Sequence, residues 1–258
     1  IPEAGRTAKG TPVVNIIEKS PEEKISEIIP VKEFSDNEYL VMVTKNGIIK
    51  KTPASEYESI RKSGKIAITL KEGDELISIF KTTGNDNIFL ATRNGMAICF
   101  NENDARAVGR TASGVKAIDL ADGDYVVGAE PVREDSKVLL VTDGGYGKCT
   151  DLTSFRIQHR GGKGLKAYKI TEKTGNIIGI SMVNDSEELI MVTSEGVVIR
   201  IRIKDIATTT GRITQGVRLI NLDDGVTVVS MDKISAEDAV EEESEENNTE
   251  VTTETTEE

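Results

Sequence analysis

The sequence predicts an all-β protein assembled from bladed, four-stranded repeats of about fifty residues, and three observations carry that reading. A hydrophobic content of 37 % with 4 % aromatics and no Trp describes a core of Ile, Val and Leu, residues that favour strands over helices. Apolar positions alternate or run in short blocks and do not recur at three and four, so helices find little support. Glycine-marked motifs also return along the chain with one common period, the signature of a repeat architecture.

Three series of motifs run in step. The loops GRTAKG, RKSGK, GRTASG, HRGGKG and GRITQG close on Gly10, Gly64, Gly114, Gly164 and Gly216, at spacings of 54, 50, 50 and 52 residues. VTKNGIIKK, ATRNGMAIC, VTDGGYGKC and VTSEGVVIR centre on Gly47, Gly95, Gly145 and Gly196. Their Asn-Gly, Gly-Gly and Glu-Gly pairs accept positive φ between two apolar runs, which predicts four complete hairpins. EGDELISIF, DGDYVVGAE, KTGNIIGIS and DDGVTVVSM form the third series, on Gly73, Gly123, Gly175 and Gly225. Short runs such as KIAITL and ELISIF supply the remaining strands, and PASEYESIRK is good for one helical turn at most. Blades arrayed around an axis keep such strand edges short and protected.

Charge is unevenly placed. The net charge is −12, yet residues 235–258 hold eleven acidic residues and no Lys or Arg. Taking those eleven from the total of 44 leaves 33 acidic against 32 basic residues in the body. The expected division is therefore a repeat body over 1–233 and a disordered acidic tail over 234–258. Cys99 and Cys149 each lie four residues after a hairpin glycine, so they are copies of one position. Without CxxC spacing or a nearby histidine they predict packed thiols in a reducing cytosol and no metal site. The chain opens Ile1-Pro2 with neither a signal-peptide pattern nor a membrane-length apolar run, so a soluble piece of a longer protein is expected.

Against the neutral body, the loop QHRGGKG stands out. Glycines let backbone N–H groups turn outward into a nest, and Arg and Lys add charge that fits phosphate. Arg160 and Lys163 are the expected phosphate holders; Gln158, His159, Gly161, Gly162 and Gly164 complete the loop, and Arg156 and Lys166 extend it. The other repeats carry cations in phase: Arg6 and Lys9; Arg61, Lys62 and Lys65; Arg106; Arg110 and Lys116; and Arg212 and Arg218. Blade symmetry would bring these to one rim. Too few aromatics are present to stack single-stranded bases, which points to duplex backbone contact without base readout. A bladed scaffold that binds protein partners and no DNA is the alternative of another class, with basic loops that are only inter-blade turns.

Catalysis finds no support. His159 is the sole histidine and no nucleophile with a supporting carboxylate can be placed beside it. Acidic pairs such as Asp223-Asp224 sit in turn grammar.

QHRGGKG, with the flanking IPEAGRTAKGTPVVNI, RKSGKIAI and GRITQGVRLI, resembles the C-terminal domain of the DNA gyrase A subunit over residues 1 to about 233. The family box reads Gln, basic, Arg, Gly, Gly, basic, Gly, matched here by Gln158 to Gly164 with His159 in a basic place. The resemblance implies a β-pinwheel of six blades, of which four hairpins are visible, with the first two and the principal box expected upstream. It implies a sequence-nonspecific, DNA-wrapping domain of a cytoplasmic, nucleoid-associated type IIA topoisomerase, an A2B2 assembly of an A-subunit homodimer with the gyrase B subunit. In that holoenzyme ATP and Mg2+ serve negative supercoiling, and no cofactor is expected in this chain. The family cleaves DNA with a Tyr that follows an Arg; none of Tyr39, Tyr57, Tyr125, Tyr146 or Tyr168 does. The related topoisomerase IV A subunit, which carries a similar domain, is the runner-up within the family.

Overall fold

A computed structural model of the chain describes residues 9–20, 22–59 and 63–235. The fold is all-β: sixteen strands and a few single 3-10 turns, with no α-helix, and so no helix able to cross a membrane, among the described residues. The first hairpin joins β1 (Tyr39–Thr44) to β2 (Ile48–Pro53), and β3 (Leu76–Thr82) returns beside β1. The second joins β4 (Asn87–Thr92) to β5 (Met96–Asn101); the two-residue β6 (Val115–Lys116) follows, then β7 (Val126–Pro131) beside β4. The third joins β8 (Lys137–Thr142) to β9 (Tyr146–Asp151), followed by the short β10 (Leu165–Lys166) and then β11 (Ile177–Val183) beside β8. The fourth joins β12 (Glu188–Thr193) to β13 (Val198–Arg202); after the short β14 (Thr208–Thr209) and β15 (Val217–Arg218), β16 (Val228–Ile234) closes against β12.

All four hairpins form on the four glycines expected of them, each with φ between 76° and 88°. The four sheets are blades, ordered β3-β1-β2-β6, β7-β4-β5-β10, β11-β8-β9 with β14 and β15 both on β9, and β16-β12-β13. The inner strands β3, β7, β11 and β16 together line one cavity of about 550 Å3.

The outermost strand of a blade comes from the next repeat. β6 pairs with β2, β10 with β5 and β15 with β9, so each of the first three blades is completed by chain that has already built the following hairpin, while the fourth has three strands among the described residues. Four strands do fall within a fifty-residue period, as β4 to β7 and β8 to β11 show, but they do not all belong to one blade. The exchange also explains why KIAITL, expected as a strand, forms none: its counterparts pair with a preceding hairpin, and none precedes β1 among the described residues. Thr69 is held instead by its amide and hydroxyl on the carbonyls of Ala112 and Thr111, at 3.3 and 2.6 Å, while Ala67 and Ile68 cover the outer face of the first blade.

Packing is between blades. Along β4, Ile88 and Leu90 face the first blade while Phe89 and Ala91 face the third; along β8, Val138 and Leu140 face the second and Leu139 and Val141 the fourth. Strands buried on both faces read as continuous apolar runs, which is why EYLVMVT and its counterparts carry so little alternation. Cys99 and Cys149 occupy equivalent buried positions in β5 and β9, as copies should. The final strand extends through Ile234, one residue beyond the expected end of the body, and 236–258 lie outside the described residues.

Candidate nucleic-acid interface

The basic loops ride on the outer edges of the blades. The chain first runs parallel to the second hairpin strand, Ala107 beside Lys51, Ile157 beside Cys99 and Thr208 beside Cys149. It then leaves the edge as a loop and returns antiparallel as β6, β10 or β15. The closing glycine marks the return. Gly114, Gly164 and Gly216 take φ of 88°, 73° and 70°, and a Cβ on each would collide with the carbonyl oxygen of Ile49, Ala97 or Gly147 on the strand beneath. Only glycine satisfies both the left-handed backbone and the close approach. Gly64 shares the φ, at 72°, but has open space around it.

Within QHRGGKG much of the backbone faces inward. The amide of Gln158 donates to Cys99 O at 2.8 Å, that of Gly161 to Ala117 O at 2.6 Å, and that of Arg160 to the Asp104 carboxylate at 3.2 Å. The amides of Gly162 and Lys163, at the apex, donate to no protein acceptor among the described residues, and with them two successive N–H groups are left for an anion. The Gln158 side chain has its amide nitrogen buried without a partner among the described residues. His159 is 98 % exposed, with Nδ1 3.2 Å from the Asp104 carboxylate.

The expected cations fall into groups. Arg106, Arg156, Lys163 and Lys166 are exposed and make no side-chain hydrogen bond or ion pair among the described residues, and the same holds for Lys9. Lys116 is exposed but pairs with Asp119 at 2.8 Å; that pairing, with Lys163 nearby, holds the Asp119 carboxyl below its ordinary range. Arg218 donates to the Tyr146 hydroxyl, at 3.1 and 2.9 Å, and to Asn221. Lys65 donates to Glu56 O at 3.1 Å. Arg110, Arg160 and Arg212 turn their guanidinium groups onto backbone carbonyls of neighbouring loops, and Arg160 is thereby not the free fork that the sequence suggested. Arg6, Arg61 and Lys62 lie outside the described residues.

Two lysines escaped the sequence reading. Lys50 and Lys148, three residues after their hairpin glycines, are 1 % and 0 % exposed. Lys50 Nζ donates to Ala67 O at 2.5 Å and Arg110 O at 2.7 Å; Lys148 Nζ donates to Gly211 O at 3.4 Å and to Arg212 O. Burial, and then the nearby Arg110 or Arg212, lowers each ammonium to about 8. Their signal was a lysine inside a run that should be apolar, GIIKK and GYGKC, recurring in phase.

Blades that interlock through a shared outer strand, with glycine-closed basic loops at each exchange, define a class of repeat proteins with a charged perimeter. Comparison with known families is specific: the model described as "DNA gyrase C-terminal domain, beta-propeller" matches residues 1–32, 38–83, 86–133, 136–184 and 187–235, and the chain belongs to that family. Among curated relatives, the DNA gyrase A protein of Halalkalibacterium halodurans is 56 % identical over 238 residues, 92 % of this chain and 28 % of that protein. Its Clostridium acetobutylicum counterpart is 50 % identical over 239 residues, 93 % of this chain and 29 % of that one. The chain thus spans less than a third of the length of these relatives. Among solved structures, a C-terminal domain of DNA topoisomerase IV superposes with a TM-score of 0.84 at 29 % identity, covering 93 % of this chain and 75 % of that one. A DNA gyrase A C-terminal domain gives 0.78 at 25 %, covering 88 % and 76 %.

Proposed function

We propose that this chain binds duplex DNA along its blade perimeter without sequence preference and bends it, as the wrapping domain of a gyrase A protein. The carrying observation is the recurrence of exposed cations at equivalent places in successive loops on the blade edges: the unpaired Arg106 and Arg156, each eight residues before a closing glycine, and Lys116, Lys166 and Arg218, each two residues after one, with the unpaired Lys163 added in the loop that closes on Gly164. A single loop neutralises too few phosphates to offset a bending cost of several kcal/mol, whereas repetition around a curved edge does so. In the complete enzyme the domain serves negative supercoiling by an A2B2 assembly, in which ATP and Mg2+ act outside this chain and the compartment is the cytoplasm and nucleoid. The topoisomerase IV superposition favours a second reading within the family, the equivalent domain of that enzyme; the 50–56 % identity to gyrase A proteins supports the first.

The test is a titration of the chain with a duplex of about 150 base pairs between about 50 and 200 mM salt. A loss of about three decades in affinity, alike for unrelated sequences, is expected. Absence of binding at the lowest salt defeats the proposal and leaves a protein-binding scaffold in its place.

A further inference from the structure

The three box arginines repeat one contact. Arg110 Nη1 donates to Ile66 O at 3.2 Å, Arg160 Nη1 to Lys116 O at 3.0 Å, and Arg212 Nη1 to Lys166 O at 3.3 Å. Each arginine stands four residues before its own closing glycine, and each acceptor stands two residues after the closing glycine of the preceding loop. The contact therefore runs from loop to loop around the perimeter. Two of the three acceptors are the backbones of Lys116 and Lys166, whose own side chains are exposed cations of the proposed interface.

Each arginine is also fixed from beneath. The carbonyls of Arg110 and Arg212 accept from the buried Lys50 and Lys148. The equivalent residue under Arg160 is the apolar, buried Ile98, and there Asp104 takes over: its carboxylate accepts from the Arg160 amide and its carbonyl from Arg160 Nε at 2.8 Å. Different chemistry thus holds the same residue in three loops. A guanidinium whose donors are taken up by carbonyls has fewer left for a phosphate, and its planar fork, unlike an ammonium, can span two fixed acceptors.

We infer that Arg110, Arg160 and Arg212 are positioning residues that couple each basic loop to the one before it, setting the spacing of the phosphate-contacting cations along the perimeter. This rests on the proposed duplex binding. A rigid spacing matters for DNA long enough to meet successive loops and is irrelevant to a duplex that meets only one. An arginine serving as a phosphate ligand would behave oppositely, contributing to short and long duplexes alike, and a lysine would largely replace it as a point charge.

The experiment compares Arg160→Lys, Arg160→Gln and the unaltered chain on duplexes of about 12 and about 150 base pairs, with salt dependence measured for each. Coupling predicts that both variants lose about tenfold in affinity for the long duplex, the effect of one charge-assisted hydrogen bond, and stay within about twofold on the short one. The short-duplex salt slope of Arg160→Gln is then unchanged. The inference is overturned if lysine restores long-duplex binding, or if Arg160→Gln weakens the short duplex equally and lowers its slope by about 0.9. Because Arg160 has several contacts, Arg110→Lys, which loses the bond to Ile66 O and keeps a cation near the Glu56 carboxylate that lies 3.9 Å from Arg110 Nε, gives the same comparison should an Arg160 variant fail to fold. Failure of the unaltered chain to bind the long duplex refutes the proposed function instead, so the two failures are distinct.

Discussion

Lys50 Nζ lies 2.7 Å from the backbone oxygen of Arg110, a buried cation seated under an exposed basic loop, and Lys148 repeats the arrangement under Arg212. Neither ammonium forms an ion pair among the described residues; carbonyl oxygens are its acceptors. The charge is retained at the expense of desolvation, which carbonyl dipoles offset only in part.

Thermal stability should consequently rise with pH just above neutrality. Both lysines are held at about 8 in the fold against 10.5 in the unfolded chain, so between those values the unfolded state binds protons that the folded state has released. Raising pH through that window favours folding. Burial pushes Cys99 and Cys149 from 9.0 up to about 11, which works the other way once unfolded thiols ionise, and Tyr57 and Tyr168, also raised by burial, add to that opposition at higher pH. Melting temperatures measured from pH 7 to 10 should climb between about 8 and 9 and then flatten. In Lys50→Met the climb should be about half as steep, and in the double variant with Lys148→Met it should vanish; an unaltered climb would show that these two lysines do not titrate there.

Substitution of the closing glycines should separate close approach from backbone conformation. Gly164→Ala places a methyl against Ala97 O in addition to a left-handed backbone, and should lower stability by about 2 kcal/mol or more. Gly64→Ala meets nothing within 4 Å and should cost only about 1 kcal/mol, the conformational part alone. Denaturant unfolding of the two variants measures the difference, and equal losses would contradict the close crossing of loop over strand at Gly164.

The two thiols should resist modification. With each pushed up by burial to about 11, only about a thousandth is thiolate at pH 8, and both are enclosed between blades. Alkylation followed by mass spectrometry should show labelling only after denaturant is added. Rapid reaction of the folded chain would mean that the second, third and fourth blades open readily.

For the proposed duplex binding, Lys163, exposed and unpaired at the loop apex beside the amides of Gly162 and Lys163, is the expected phosphate contact. Lys163→Gln should reduce the salt slope of duplex binding by about 0.9 and weaken all sequences equally. Loss for some sequences only would indicate base contact instead.

Much of the architecture was legible because its causes are local. Asn-Gly, Gly-Gly and Glu-Gly need positive φ wherever they fall, so the hairpins at Gly47, Gly95, Gly145 and Gly196 could be read one by one, and their common period implied blades. The loops were equally legible as glycine-closed basic motifs. Their partners were not. That β6 completes the blade of β2, that KIAITL is left without a strand to join, and that Arg160 reaches Lys116 across 44 residues are pairings made by blade stacking. Local sequence determined which segments bend, extend and carry charge; tertiary structure decided which charges remain in solvent, because a guanidinium or an ammonium beside a carbonyl with no other donor is drawn inward whatever its sequence motif suggests.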